Sequence, residues 1–178
     1  MRHLILAIAA SGALLAACSR SETSREDPSA APTTTPAIAA CNSVTPDAAR
    51  QVAVEDGAAI AVAASDLRGG SISPGLYDLT AASRIGAATG WTGTRAVALE
   101  VSEAADGQVA FNWAGAAPSG DADRWSASFS ETPQPRLTYS CGRIGDVPLE
   151  FSAETTVLTL RLQDGAGGQL ALTFSRRS

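Results

Sequence analysis

Side chains that could carry out chemistry are scarce in this chain. Its only histidine is His3, all 13 of its basic residues are arginine, and it has no lysine. Serine and cysteine nucleophiles need a nearby base, usually histidine, whereas Schiff bases and phosphate-binding loops need lysine. We therefore predict that the protein is not an enzyme, and we expect no catalytic residue and no cofactor.

Two groups of acidic side chains are the candidates for a metal site. Glu100, Glu103 and Asp106 straddle a strand end and a turn, and Asp121 and Asp123 lie in a loop. Such a site would be all-oxygen and would suit calcium, but the Asp-x-Asp-x-Asp-Gly spacing of calcium loops is missing. The simpler interpretation is solvated surface charge, so we predict no metal.

Three tryptophans dominate the small aromatic content of the chain, namely Trp91, Trp113 and Trp125. One hypothesis is that they line the interior or mouth of a ligand-binding cavity, which would need a volume of about 300 Å³ or more. The other interpretation is that they fill a core with few other aromatic side chains. The sequence leaves both interpretations open.

The charge of the chain bears on its partners. The net charge is −5, and the arginines are scattered apart from the adjacent Arg176 and Arg177. Binding to nucleic acid requires a basic patch or stripe, so we predict no nucleic-acid partner.

The length of 178 residues fits one domain with appendages.

Residues 1–17 have the pattern of a secretory signal peptide. The basic start Met1-Arg2-His3 precedes an apolar run from Leu4 to Ala17, which is shorter than the ~20 residues of a lasting membrane span. The run ends in Leu15-Ala16-Ala17-Cys18, which resembles the bacterial lipobox. The alternative is an ordinary alanine-rich signal peptide that happens to contain a cysteine.

The lipobox resemblance implies a modification and a location. It implies cleavage before Cys18 and a diacylglycerol thioether on its sulfur, so that lipid holds the protein to a membrane. Ser19, where an Asp commonly retains such proteins in the inner membrane, implies the periplasmic side of the outer membrane. Removal of residues 1–17 would also remove His3 and Met1, the only histidine and methionine.

The segment 18–40 is predicted to be a tether. It is rich in Ser, Thr, Pro and Ala, and Ile38 is its one large apolar residue. Such a composition buries too little apolar surface to offset the entropy of ordering, so we expect a disordered spacer between lipid and domain.

With Cys18 assigned to lipid, Cys41 and Cys141 remain. Export would place them in an oxidising compartment, where two cysteines at the edges of an ordered region indicate a disulfide. Two thiolates without histidine make a poor zinc site, and Cys-x-x-Cys redox spacing is absent. We therefore predict a Cys41–Cys141 bond.

From about residue 71 to residue 178 the sequence predicts an antiparallel β-barrel. Apolar residues alternate with polar or small ones, which is typical of strands with one buried face. Turn signals rich in Gly, Pro and Asp separate the runs, and about eight strands result, including strands near 75–83 and 148–153. The alternating sets are Val97/Leu99/Val101, Val109/Phe111/Trp113, Trp125/Ala127/Phe129, Leu137/Tyr139/Cys141, Leu158/Leu160/Leu162 and Leu170/Leu172/Phe174.

The preceding segment, 41–70, favours one N-terminal helix. Thr45-Pro46-Asp47 has the composition of a helix start, and apolar residues follow at helical spacing within 46–66. Gly57 weakens this prediction, and a strand at 58–64 is the rival interpretation.

The predicted meander resembles the small lipocalin-like barrels of bacterial envelope lipoproteins. The segments that carry this resemblance are 74–80, 137–141, 156–162 and 169–174. The resemblance is one of pattern, and no ligand residue is carried over from it. The function we expect is a membrane-anchored, non-catalytic binding module for an apolar small molecule, with Trp91, Trp113 and Trp125 lining its site. The alternative is a structural or accessory lipoprotein that docks another envelope protein through an exposed apolar patch.

Overall fold

The computed structural model describes residues 41–57, 67–104, 107–120, 122–165 and 167–178. These residues form nine β-strands and no helix. The predicted signal peptide, Cys18 and all of the predicted tether lie outside the described residues. The strands are β1 (Val52–Asp56), β2 (Gly75–Gly86), β3 (Thr94–Glu103), β4 (Val109–Ala116), β5 (Ala122–Ser130), β6 (Arg136–Cys141), β7 (Asp146–Ala153), β8 (Val157–Asp164) and β9 (Gly168–Arg176).

Strands β2 to β9 form a closed antiparallel barrel. Each strand pairs with the next along the chain, and β2 also pairs with β9 from Tyr77↔Arg176 to Gly86↔Gly168. Closure leaves neither β2 nor β9 as a free sheet edge. The prediction of a mainly β protein with an antiparallel meander is confirmed.

The helix predicted from Thr45 is wrong for the residues that the structure describes. The Asp47 carboxylate accepts a hydrogen bond from the Ala49 amide (3.0 Å) and stabilises a turn, after which strand β1 begins at Val52. Val52 and Val54 alternate with Ala53 and pack against the core, as β-branched residues on a pleated strand do. The rest of the predicted helix, and the rival strand at 58–64, lie outside the described residues.

Strand β1 occupies a gap in the barrel wall. β2 and β3 pair directly only between Gly75–Asp78 and Ala98–Val101. Beyond that, β1 pairs in parallel with β2 (Val54↔Ala82) and antiparallel with β3 (Val52↔Arg95). The two strands can therefore diverge without leaving unpaired backbone groups in the wall.

Side chains fill the barrel interior. Residues at alternate positions point inward from every strand, and most of them are less than 5% exposed. The largest fully buried side chains are Trp113, Trp125, Tyr77, Phe111, Phe174, Leu79, Leu99, Leu137, Leu158, Leu160 and Leu172. The barrel is packed through its middle, as small barrels commonly are.

The predicted disulfide joins Cys41 to Cys141, with Cα atoms 5.5 Å apart. The alternation within β6 predicts that Cys141 shares the inward face of Tyr139. A bulge between Ser126 and Ala127 shifts the pairing of β5 with β6, so that Cys141 pairs with Ser126 rather than with an inward-facing residue. Ser126 faces outward and its hydroxyl donates to the Cys41 carbonyl (3.2 Å). The bulge thereby turns Cys141 toward the outside of the barrel.

The disulfide holds residues 41–45, here called the strap, across the outer face of β4 and β5. The Asn42 side-chain amide donates to the carbonyls of Trp113 (3.1 Å) and Trp125 (2.9 Å). The Arg124 guanidinium donates to the Val44 carbonyl (2.5 Å), and Val44 packs on a small outer cluster. The strap is thus fixed by a covalent bond, hydrogen bonds and a buried apolar contact.

Candidate functional site

One end of the barrel, here called the mouth, carries the connections β2–β3, β4–β5, β6–β7 and β8–β9. In an up-and-down meander every second connection falls at the same end. The longest of these four is β2–β3, spanning 87–93. It is tied down by hydrogen bonds from the Gly90 amide to the Asp164 carboxylate (2.7 Å) and from the Val54 amide to the Gly93 carbonyl (2.9 Å).

A cavity of about 260 Å³ lies at the mouth, and all three tryptophans line it. The apolar lining is completed by Tyr139, Val147, Leu162, Leu170 and Leu172, and the polar lining by Arg95, Asp123, Arg143, Gln163 and Asp164, with Gly90 beside them. Trp91, Trp113 and Trp125 lie together at this cavity, although they come from a loop and two different strands.

The tryptophans form one aromatic stack under the cavity. Trp113 and Trp125 are direct cross-strand partners, and their rings lie nearly parallel with centroids 5.1 Å apart. Trp91 folds in from the β2–β3 loop and packs on Trp113 at 5.6 Å. Such pairs add stabilisation beyond that of buried area alone. The three rings therefore close the core and also lie beneath the cavity.

A ring of polar side chains, here called the rim, surrounds this floor. It forms because the inward-facing positions of β3, β5 and β8 continue to the end of each strand. Arg95 lies two residues before Val97 on β3, Asp123 two before Trp125 on β5, and Asp164 two after Leu162 on β8. Each of the three side chains lines the cavity. The inward face thus changes from apolar in the middle of the barrel to charged at the mouth.

The two rim carboxylates already have donors. Asp123 accepts from the Arg143 guanidinium at 2.8 Å, and Asp164 accepts from the Gly90 amide. Arg143 also lies over the rings of Trp125 (5.7 Å to the centroid) and Tyr139 (5.8 Å), a favourable cation–π arrangement.

Three donor atoms of residues that line the cavity have no acceptor, although the atoms themselves do not reach its surface. The indole Nε1 atoms of Trp113 and Trp125 and the Nε of Arg95 are shielded from solvent, and none makes a hydrogen bond. Arg95 lies over the Trp91 ring at 5.3 Å. In the described part of the chain, no carboxylate lies within ion-pair distance of Arg95. Unmet buried donors are uncommon in folded proteins and call for an explanation.

Of these rim residues, the sequence does not single out Arg95 and Asp164, and it suggests Asp123 only as a possible metal ligand in a loop, whereas Asp123 lies on β5. Extending the two-residue period by one step on β3, β5 and β8 would have found them, because they occupy inward positions. Arg143 lies in the β6–β7 loop, which has no periodic signal. Its position depends on its contacts with Asp123 and the aromatic rings.

The acidic groups considered for metal binding are only partly described. Asp123 pairs with Arg143, and Glu100 accepts from the Asn112 side-chain amide (3.0 Å) on the outer face. Asp106 and Asp121 lie outside the described residues. Within the described ranges, no three His, Cys, Asp or Glu side chains gather as a metal ion would require.

Other depressions lie outside the mouth. One of about 670 Å³ is lined by Asp47, Arg50, Asp78 and Arg177, among others. Four of its charged groups are already paired, since Arg50 contacts Asp47 and Arg177 contacts Asp78. We take the mouth, where the three tryptophans lie together beneath a cavity, as the candidate site. None of the described residues belongs to a helix long and apolar enough to cross a membrane.

Comparison with known proteins adds little to this description. No protein-family model and no curated protein matches the chain. Among solved structures, the chain is similar to one described as the de novo design of a fluorescence-activating β-barrel. That similarity has 14% identity, a TM-score of 0.41, and coverage of 59% of this chain and 94% of the design. Similarity at this level carries no argument about fold or function.

Proposed function

We propose that this chain is a lipid-anchored, lipocalin-like binding module that holds a small apolar or amphipathic molecule at the mouth of its barrel. The observation that carries the proposal is the cavity floored by Trp91, Trp113 and Trp125. An apolar floor with a few polar groups around it is the usual composition of a small-molecule site.

The volume of the cavity limits the size of the ligand. The middle of the barrel is filled, so the ligand would lie at the mouth rather than deep inside. A cavity of about 260 Å³ is slightly below the ~300 Å³ at the lower end of typical ligand sites. The ligand that fits is therefore a small molecule that lies against the tryptophan cluster.

The proposed location is the periplasmic side of a bacterial outer membrane, through lipid on Cys18. The Cys41–Cys141 disulfide supports export, because such bonds persist in oxidising compartments. A tether over 18–40 would keep the mouth clear of the bilayer. We propose that the module is not catalytic and that it carries or senses its ligand.

A direct test of ligand binding uses the neutral dye N-phenyl-1-naphthylamine, whose fluorescence rises in apolar sites. We expect saturable one-to-one binding by the folded domain, and at least about tenfold weaker binding by Trp91→Ala, which removes one ring of the floor. Ile144→Ala is the matched control, because Ile144 lies in the β6–β7 loop but is 99% exposed. No saturable binding, or equal effects of the two variants, would refute the proposal.

Docking of another envelope protein has less support. Among the described residues, Ile144 is the one large hydrophobic side chain that is exposed. A single apolar side chain is ordinary for a protein surface and does not form a docking patch.

A further inference from the structure

Building on the proposed function, we infer that Asn42 of the strap is a positioning residue for the site at the mouth. The Cys41–Cys141 disulfide holds Asn42 behind the stacked rings of Trp113 and Trp125, and reduction of this bond weakens ligand binding. Binding at the mouth is thereby coupled to thiol chemistry on the outer wall of the barrel.

One side-chain amide joins the two strands that carry the stacked rings. Asn42 Nδ2 donates to the backbone carbonyls of Trp113 (3.1 Å) and Trp125 (2.9 Å), which are direct cross-strand partners on β4 and β5. The Asn42 side-chain oxygen accepts from the Val44 amide (3.2 Å), which fixes the orientation of the side chain. A site keeps its shape only when the groups behind it are held in place, so the spacing of these two backbones depends on the strap.

Strand β5 needs this support at Trp125 in particular. Trp125 pairs with Trp113 on β4 but with no residue of β6, because the β5–β6 pairing ends at Ser126, beside the bulge. The strap takes the place of β6 here, since the Ser126 hydroxyl donates to the Cys41 carbonyl and the Asn42 amide to the Trp125 carbonyl. A bulge interrupts the ladder of hydrogen bonds, and the backbone beside it needs other partners to stay in place.

The disulfide fixes the Cys41 end of the strap. Apart from this bond, Cys41 is held to the described part of the barrel by the hydrogen bond from Ser126. Both cysteines are partly exposed, so a small dithiol can reach them. One thiolate of the dithiol attacks one cysteine sulfur and releases the other as a thiolate, which takes up a proton. The second thiol of the reductant then closes a disulfide and frees the first cysteine, which leaves two protein thiols.

Titration of N-phenyl-1-naphthylamine into the purified protein, before and after reduction by dithiothreitol, tests the inference. We expect reduction to weaken dye binding at least about fivefold, the lower end of the usual coupling between two sites, and reoxidation to restore it. Because such coupling is reciprocal, saturating dye should shift the ratio of reduced to oxidised dithiothreitol at which half of the protein is reduced by the same factor. Dithiothreitol should not change dye binding by the Cys41→Ser/Cys141→Ser variant.

Asn42→Ala separates positioning from the effect of the disulfide on stability, because this variant keeps the bond. We expect it to bind the dye at least about fivefold more weakly and to respond little to reduction. The exciton-coupled circular dichroism of the stacked Trp113–Trp125 pair should also weaken. Gln51→Ala is the matched control, since the Gln51 side-chain amide donates to the Ala48 carbonyl (3.1 Å), outside the strap and the cavity lining. It should leave dye binding unchanged.

Equal dye affinity of the oxidised and reduced forms, both folded by circular dichroism, overturns this inference and leaves the proposed function standing. Unchanged dye binding by Asn42→Ala does the same, and it decides the question if the reduced protein unfolds. If neither the oxidised nor the reduced protein binds the dye, the proposed function itself fails.

Discussion

At the residue scale, the clearest single interaction is the buried ion pair of Asp78 and Arg177. The Asp78 side chain is 3% exposed, and the Arg177 guanidinium donates to both of its oxygens at 2.7 and 2.6 Å. This hydrogen bonding raises the pKa of Arg177 above its ordinary value, and the charges of Asp78 and Asp47 act in the same direction. A cation with a raised pKa keeps its full stabilising effect below its unfolded pKa and loses it only as the pH rises through the higher folded value. The contribution of the Arg177 cation is therefore constant across neutral and moderately alkaline pH.

Removing Arg177 should be costly because it leaves a buried carboxylate without its main partner. We expect Arg177→Gln to lower the free energy of unfolding by about 2 kcal/mol, measured by urea denaturation at neutral pH. The adjacent Arg176 is exposed, so Arg176→Gln should change stability by less than about 0.5 kcal/mol. Similar losses in the two variants would show that Asp78 does not depend on this partner.

At the scale of elements, the strap and strand β1 complete the barrel, although neither belongs to the meander of β2 to β9. β1 fills the gap between β2 and β3, and the strap crosses β4 and β5 where Trp113 and Trp125 stack. Asn42 binds the backbone carbonyls of both tryptophans from the outer face. The segment before the barrel thus supports the part of the wall that carries the floor of the site.

The disulfide should stabilise the fold without being needed for closure. Cys41 and Cys141 are 100 positions apart, so their bond restricts a long loop in the unfolded chain. We expect the double variant Cys41→Ser/Cys141→Ser to remain folded and to lose about 2–4 kcal/mol of unfolding free energy. A reducing agent should destabilise the parent protein but not the double variant. An unfolded double variant would show that the β2–β9 pairing and the core do not suffice to hold the barrel together.

At the scale of the whole molecule, we propose a binding domain that a tether holds near a membrane. The ligand site is at one end of the barrel, and lipid on Cys18 is the proposed anchor. Because two or three acyl chains bury many methylene groups, such an anchor holds a protein firmly.

Cys18→Ala should release the protein from membranes and abolish incorporation of labelled palmitate. The measurement is fractionation of cells that express the full chain, with the Cys41→Ser/Cys141→Ser variant as a control that keeps Cys18. The control should remain in the membrane fraction and carry label. Membrane retention or labelling of Cys18→Ala would contradict the proposed anchor.

The strands from β2 to β9, most of their inward faces and the pairing of Cys41 with Cys141 could be predicted from the sequence. These features follow from a period of two and from the small number of cysteines, which are local or compositional signals. The pairing of Trp113 with Trp125 could also be predicted, whereas the position of Trp91, which lies in a loop, could not. Trp113 and Trp125 lie on inward faces of neighbouring strands, which register then places side by side.

Three features became apparent only from the fold: β2 meets β9, residues 52–56 form a strand, and the barrel is filled except at its mouth. Pairing partners about 90 residues apart leave no local pattern, and the gap that β1 fills exists only once β2 and β3 diverge. Whether the interior is hollow depends on side-chain volume against barrel radius, which periodicity does not encode. Likewise, Arg95 and Trp91 meet only in the folded chain, where the guanidinium lies over the indole ring at 5.3 Å.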